Sequence, residues 1–116
     1  MNLEQVRRFA LSLPEASEEP HHDLSSFRVR GKIFATVPPG GDHLHIFVDE
    51  QQRELVAALE PATFEKLWWG SKVVGLRVTL VKARSTMVNE LLYSAWCRKA
   101  PKRLVTSFTL SHKSRK

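Results

Sequence analysis

The chain has 116 residues, a net charge of +6 and one cysteine, Cys97. This length suits a single domain that buries about two-thirds of its unfolded surface, and a lone cysteine excludes an intrachain disulfide. No apolar run approaches the roughly 18 residues of a membrane span, and two arginines interrupt "MNLEQVRRFALSL" where a signal peptide would be apolar, so a soluble cytoplasmic protein is expected. The charge is unevenly divided. Residues 1–65 carry 6 Lys/Arg against 11 Asp/Glu, net −5; residues 66–116 carry 12 Lys/Arg against one acid, Glu90, net +11. Such asymmetry points to a polyanionic partner, nucleic acid first, against the plainer reading of a basic surface that only aids solubility.

In chain order, "NLEQVRRFALSLP" places Leu3, Val6, Phe9, Ala10 and Leu13 on one helical stripe, with Asn2 as N-cap and Pro14 as stop. "EASEEPHHD" reads as a polar loop broken by proline. "LSSFRVR" alternates, "GK" turns, "IFATV" alternates, "PPGGD" loops and "HLHIFV" alternates again, which predicts a three-stranded antiparallel meander. Asp49 and Gln52 have capping-box spacing ahead of the helix "DEQQRELVAALE". Pro61 suits the first turn of a short helix, "PATFEKLW", ended by Gly70. At that junction Trp68 is expected to pack under the helix and Trp69 to stand at the rim beside Gly70 and Lys72. "KVVGLRVTLV" holds one or two strands, with Gly75 marking a bulge or a break. Ser85 or Thr86 caps the last helix, whose stripe is Val88, Leu91, Leu92, Ala95 and Trp96, and Pro101 closes it. Residues after about Thr106 read as a basic tail, ordered if Phe108 and Leu110 dock. The outward residues of the strands are then Arg28, Arg30, His43, His45, Phe47, Arg77 and Thr79.

No catalytic pattern stands out. His43 and His45 share a strand face, as metal ligands can, with Glu50 following. However, Glu50 falls at a helix start, and neither the glycines nor the second histidine motif of such a site is present. His21, His22 and Asp23 read as loop polar residues. Cys97 lies beside cations, but at the helix end that disfavours a thiolate. The chain has no phosphate loop and no G-x-S-x-G elbow. A non-enzymatic protein without metal or cofactor is expected. Arg98, Lys99, Lys102 and Arg103 have two open readings, helix capping or polyanion contact, and Lys113, Arg115 and Lys116 add charge to the tail.

"AWCRKAPKRL" (residues 95–104) resembles the C-terminal signature of the MmcQ/YjbR family. "LPEASEE", "FRVRGKIFA" and the stretch from Gly70 through "VGLRV" fit the same family in order, over about residues 2–105. One departure is that the family often has a tryptophan where the strand after the loop begins; here Val73 or Val74 stands, with Trp68 and Trp69 just upstream. The resemblance implies an α+β domain, α-β(3)-α-β(2)-α, related in shape to frataxin-like and secretion-chaperone-like folds, and it carries a DNA-binding label without catalytic residues. The residue pattern agrees on a single compact domain, residues 1–105, with helices on one face of an antiparallel sheet and a basic tail at 106–116.

The expected function is binding of duplex DNA with little sequence specificity, by a monomer that does not engage membranes. Its residues would be Arg28, Arg30, Lys32, Lys72, Arg77, Lys82 and Arg84 on the sheet and its rims, assisted by Lys102 and Arg103, with Trp69 stacking on a splayed base or wedging at a groove edge. The alternative is a protein-interaction module that uses the open sheet face or the Trp68/Trp69 rim. A third reading is a small-ligand or metal protein using His43 and His45.

Overall fold

The structure, a computed structural model, describes residues 1–113, with side chains described through Leu110. Helix α1 (Leu3–Ser12) begins in a reciprocal capping box. Gln5 N donates to Asn2 Oδ1 and Asn2 N donates to Gln5 Oε1, both at 2.9 Å. Its stripe buries Val6 and Ala10.

The next segment departs from expectation. Residues 16–21 form strand β1 (Ala16–His21), paired along its length with β2 (Leu24–Val29). β1 is an edge strand, so Pro20 removes no donor that an inner neighbour needs. Its acid Glu18 faces the helices, where Arg7 Nε donates to it at 2.9 Å and Ser25 Oγ at 2.6 Å. Burial pushes the Glu18 carboxyl up, but these partners outweigh it and hold the group below the usual carboxylate range.

Strands β2, β3 (Lys32–Val37) and β4 (His43–Ile46) form the expected antiparallel meander. A bulge between β2 and β3 leaves Phe34 without an opposite partner, so Phe34 and Ala35 are both buried. Helix α2 (Glu50–Leu59) is capped by Asp49, whose side chain accepts from Gln52 N at 2.9 Å. The Gln52 side chain reaches Ser94 Oγ at 3.2 Å instead of closing the box.

The short helix expected over "PATFEKLW" is instead strand β5 (Phe64–Trp69). It forms a hairpin with β6 (Lys72–Thr79), and Gly70 turns the corner at φ 63°. Only Phe64 of this strand is buried, so one core contact and backbone pairing override a helical-looking composition. β6 is one strand, not two. Val74 is its unpaired residue, between Leu67↔Gly75 and Trp68↔Val73.

After a 3-10 turn (Leu80–Lys82) comes α3 (Ser85–Lys99), with the whole predicted stripe from Val88 to Trp96 buried. Neither Ser85 nor Thr86 caps it; Arg84 holds the N-cap position without a side-chain bond. Trp96 Nε1 donates to Pro14 O at 3.0 Å, tying α3 to the start of β1. Helix α4 (Lys102–Lys113) continues through Thr106, where a tail was expected. Phe108 packs edge-on to Trp96 at 5.5 Å between ring centres, whereas Leu110 stays exposed. Arg115, Lys116 and the side chain of Lys113 lie outside the described residues.

The sheet order is β1-β2-β3-β4-β6-β5, antiparallel throughout. The register puts Phe27, Ala35, Ile46 and Leu76 on one face, with Val37, Leu44, Val78 and Phe64 beside them. Helices α1, α2 and α3 cover that face, giving the α+β layering expected from the sequence. No helix among the described residues covers the opposite face. No helix among the described residues is long and apolar enough to cross a membrane.

Candidate functional site

The uncovered face carries Arg28, Ile33, Thr36, His43, His45, Arg77 and Thr79 across four adjacent strands, close to the outward set read from alternation. The β1–β2 turn and the β5–β6 turn sit at diagonally opposite corners of this sheet. Twist brings diagonal corners of a sheet forward on the same side. The result is a groove of about 590 Å³, bounded by His21 and His22 at one corner and by Trp68 and Trp69 at the other. Leu24, Ile33, Leu67 and Val74 give it an apolar floor, and Phe47, Arg98 and Lys99 close one end.

The tryptophans stand clear of the core: Trp68 is 59% exposed and Trp69 80%. The expectation for Trp69 at the rim holds. Trp68 does not pack under a helix, because no helix forms there and the hairpin lifts it into solvent.

His45 lies on the floor. Its Nδ1 is 3.4 Å from the buried Thr36 hydroxyl, and its Nε2 is buried with no hydrogen-bond partner among the described residues. Burial, then the charge of Arg77 directly opposite on β6, then His43, hold its imidazole below the usual histidine range. Among the described residues no three His, Cys, Asp or Glu side chains gather as a metal site needs. Burial also pushes the Cys97 thiol up, against the contact of Tyr93, so it is not poised as a thiolate.

The predicted binding residues, the cations and Trp69, divide into three places. Arg30 and Lys32 flank the β2–β3 turn, Trp69 and Lys72 flank the β5–β6 turn, and Lys102 and Arg103 open α4. These six share one end of the sheet. Arg98 Nη1 donates to Phe47 O at 2.7 Å just past β4, and Glu15 beside β1 pairs with Arg30. Arg30 and Arg103 also line a second, smaller hollow of about 440 Å³ with Glu15. Arg28 and Arg77 lie on the open face, opposite Ile33 and His45. Lys82 and Arg84 fall at the far end, past the close of β6, so the predicted cations do not form a single stripe. Arg84 is bound to Glu60 at 3.1 Å, and Arg30 to Glu15 at 2.7 Å.

Some lining residues were not among those expected to bind. His21 and His22 looked like loop residues because polar β1 hid the hairpin that presents them. The C-terminal pair of α3 was open to capping or polyanion contact, and Arg98 does bond a carbonyl, though that of Phe47 rather than of its own helix.

A family model described as YjbR matches residues 11–98, most of the chain. The chain belongs to the YjbR family. The matched residues run from the end of α1 to one residue short of the end of α3 and thus include the whole sheet and every groove-lining residue of this YjbR domain except Lys99. Among solved structures, Deinococcus radiodurans protein DR2400, described with a DUF419 domain, superposes with a TM-score of 0.71 at 20% identity. The match covers 82% of this chain and 75% of that one, and it shows a common fold. A comparison with curated proteins gave no match.

Proposed function

We propose that this YjbR-family protein is a non-enzymatic DNA-binding protein that holds its ligand at the cationic end of the open sheet face, chiefly through phosphate contacts with little sequence specificity. The observation that carries this reading is the convergence of cations from separate parts of the chain. Lys32, Lys72, Arg98, Lys99, Lys102 and Arg103 come from two hairpin turns and a helix junction, yet reach the end that opens onto the groove. The acids at this end, Glu15, Asp49 and Glu50, are fewer, and Glu15 is engaged by Arg30 while Asp49 caps α2. Excess positive charge around a concave surface attracts polyanions and releases counterions when phosphates bind.

The test is affinity for DNA across a salt series, in wild type and in Lys72→Glu, Lys99→Glu and Lys102→Glu proteins. Each lost phosphate contact lowers the log–log slope by about 0.7 to 0.9. Lys82→Glu, at the far end, is expected to leave affinity within about twofold. A slope near zero in wild type, or equal losses at Lys82 and Lys99, contradicts the proposal. The exposure of Trp68 and Trp69 favours a second reading, an aromatic anchor for a partner protein. In that case Trp69→Ala would abolish partner capture while the charge reversals left it intact.

A further inference from the structure

We infer that the groove takes single-stranded DNA, with bases seated on its aromatic end and phosphates on its cations. This inference rests on the nucleic-acid reading above and sharpens it.

Phosphate contacts alone do not require a groove with an apolar floor. A duplex keeps its bases stacked inside and presents sugar and phosphate outward, so Phe47, Trp68 and Trp69 would meet no base faces. A single strand can turn its bases onto aromatic rings while its backbone follows nearby cations. Here the two requirements coincide in space. Trp68 and Trp69 stand exposed on the hairpin tip, and Lys72 is paired directly across from Trp69. Phe47 lies at the same end, its carbonyl accepting from Arg98, and Lys99 lines the groove beside them. In strand order Lys72 on β6 thus lies between Trp69 on β5 and Phe47 past β4, with Arg98 and Lys99 lining the groove at the Phe47 side. The face spans six strands at about 4.8 Å spacing, or about 24 Å, a path for about four nucleotides, the lower end of known site sizes for sheet-based strand binders. The floor is mostly apolar, with Leu24, Ile33, Leu67 and Val74 against the polar Thr36 and His45, so few groups are placed to bond a ribose 2′-hydroxyl, which favours DNA over RNA.

The experiment compares an oligothymidylate of about 12 nucleotides, an oligouridylate of the same length and a mixed-sequence duplex, by fluorescence anisotropy and by intrinsic tryptophan fluorescence. The expected result is at least about tenfold tighter binding of the thymidylate than of the duplex, with quenching of tryptophan emission. Trp69→Ala is expected to weaken strand binding about tenfold or more, and Trp69→Phe to restore most of it. Because Trp69 is 80% exposed, both variants should keep the wild-type circular dichroism spectrum.

Duplex binding as tight as strand binding would overturn this inference and leave the nucleic-acid reading standing. Unchanged strand affinity in Trp69→Ala would overturn it likewise. Tighter binding of uridylate would overturn the assignment to DNA. No binding of any of the three would remove both this inference and the reading it rests on.

Discussion

Gly75→Ala is the substitution through which the fold makes its sharpest demand. A Cβ at this position would fall inside contact distance of the Ile46 carbonyl oxygen and 3.2 Å from both Ile46 C and Phe47 Cδ1. The obstructing oxygen belongs to backbone, so no rotamer change relieves it. Either β4 or β6 must move, at the point where Ile46 pairs with Leu76 in mid-sheet. Overpacking of this kind typically costs about 1 to 3 kcal/mol, and the rigid neighbour places Gly75→Ala near 3. That is a large share of the roughly 5 to 15 kcal/mol that stabilises a small domain. Gly70→Ala provides the contrast. Its Cβ would meet nothing within 4 Å, and only the left-handed backbone at φ 63° opposes it, at about 1 to 2 kcal/mol. Urea unfolding measures both, with m expected to stay at the wild-type value. The melting temperature should fall by about 4 °C or more per kcal/mol lost. Because Phe47 is among the obstructed atoms, Gly75→Ala should also disturb the cationic end of the groove. A Gly75→Ala protein within about 0.5 kcal/mol of wild type, or less affected than Gly70→Ala, would refute this account of the β4–β6 contact.

Other consequences follow from buried polar groups. Trp96→Phe keeps a ring against Tyr93 and Phe108 but removes the donor to Pro14 O; a loss of about 1 to 3 kcal/mol is expected, read from the urea midpoint. His45 has a folded-state pKa held down, so the folded protein resists protonation there. Its contribution to stability is full above the ordinary histidine pKa of about 6.5 and declines as pH falls through the lower folded value. His45→Gln should therefore flatten the loss of stability between neutral and mildly acid pH; an unchanged pH profile would contradict that assignment. Protonated His45 would also add positive charge to the groove floor beside Arg77 and His43, so binding of an anionic strand should draw a proton onto the protein, measurable as a buffer-dependent binding enthalpy.

Much of the architecture is legible in the sequence where one face is buried and the other wet. The Asn2 box, the alternation of residues 24–48 and the α3 stripe all carry a periodic apolar signal that the core then uses. The strands that were misread are the two edge strands. β1 buries no residue fully and β5 buries only Phe64, so neither shows the alternation that reveals an inner strand. Their residues are held by backbone pairing and by Arg7–Glu18 and Lys66–Glu54 bridges to the helices. Such long-range partners leave no local pattern. The same cause limited the site. Arg30, Lys72 and Lys102 are visible as cations, but only the hairpin turns and the α3–α4 junction bring them to one end. Lys82 and Arg84 carry the same charge and go to the other. Trp69 was legible as a rim residue beside Gly70 and Lys72, and it stands there. The exposure of Trp68 depended on β5 being a strand.

The central claim is that the open face, and not the helical face, receives DNA. Amide chemical-shift mapping of the isotope-labelled protein titrated with a short oligothymidylate tests it most directly. The account predicts that the largest shifts fall on Lys32 and Ile33, His45 and Phe47, Trp68 to Lys72 and Arg98 to Lys99, with Lys82 and α2 little affected. Shifts centred on α1, α2 or Lys82, or none at saturating oligomer, would contradict it.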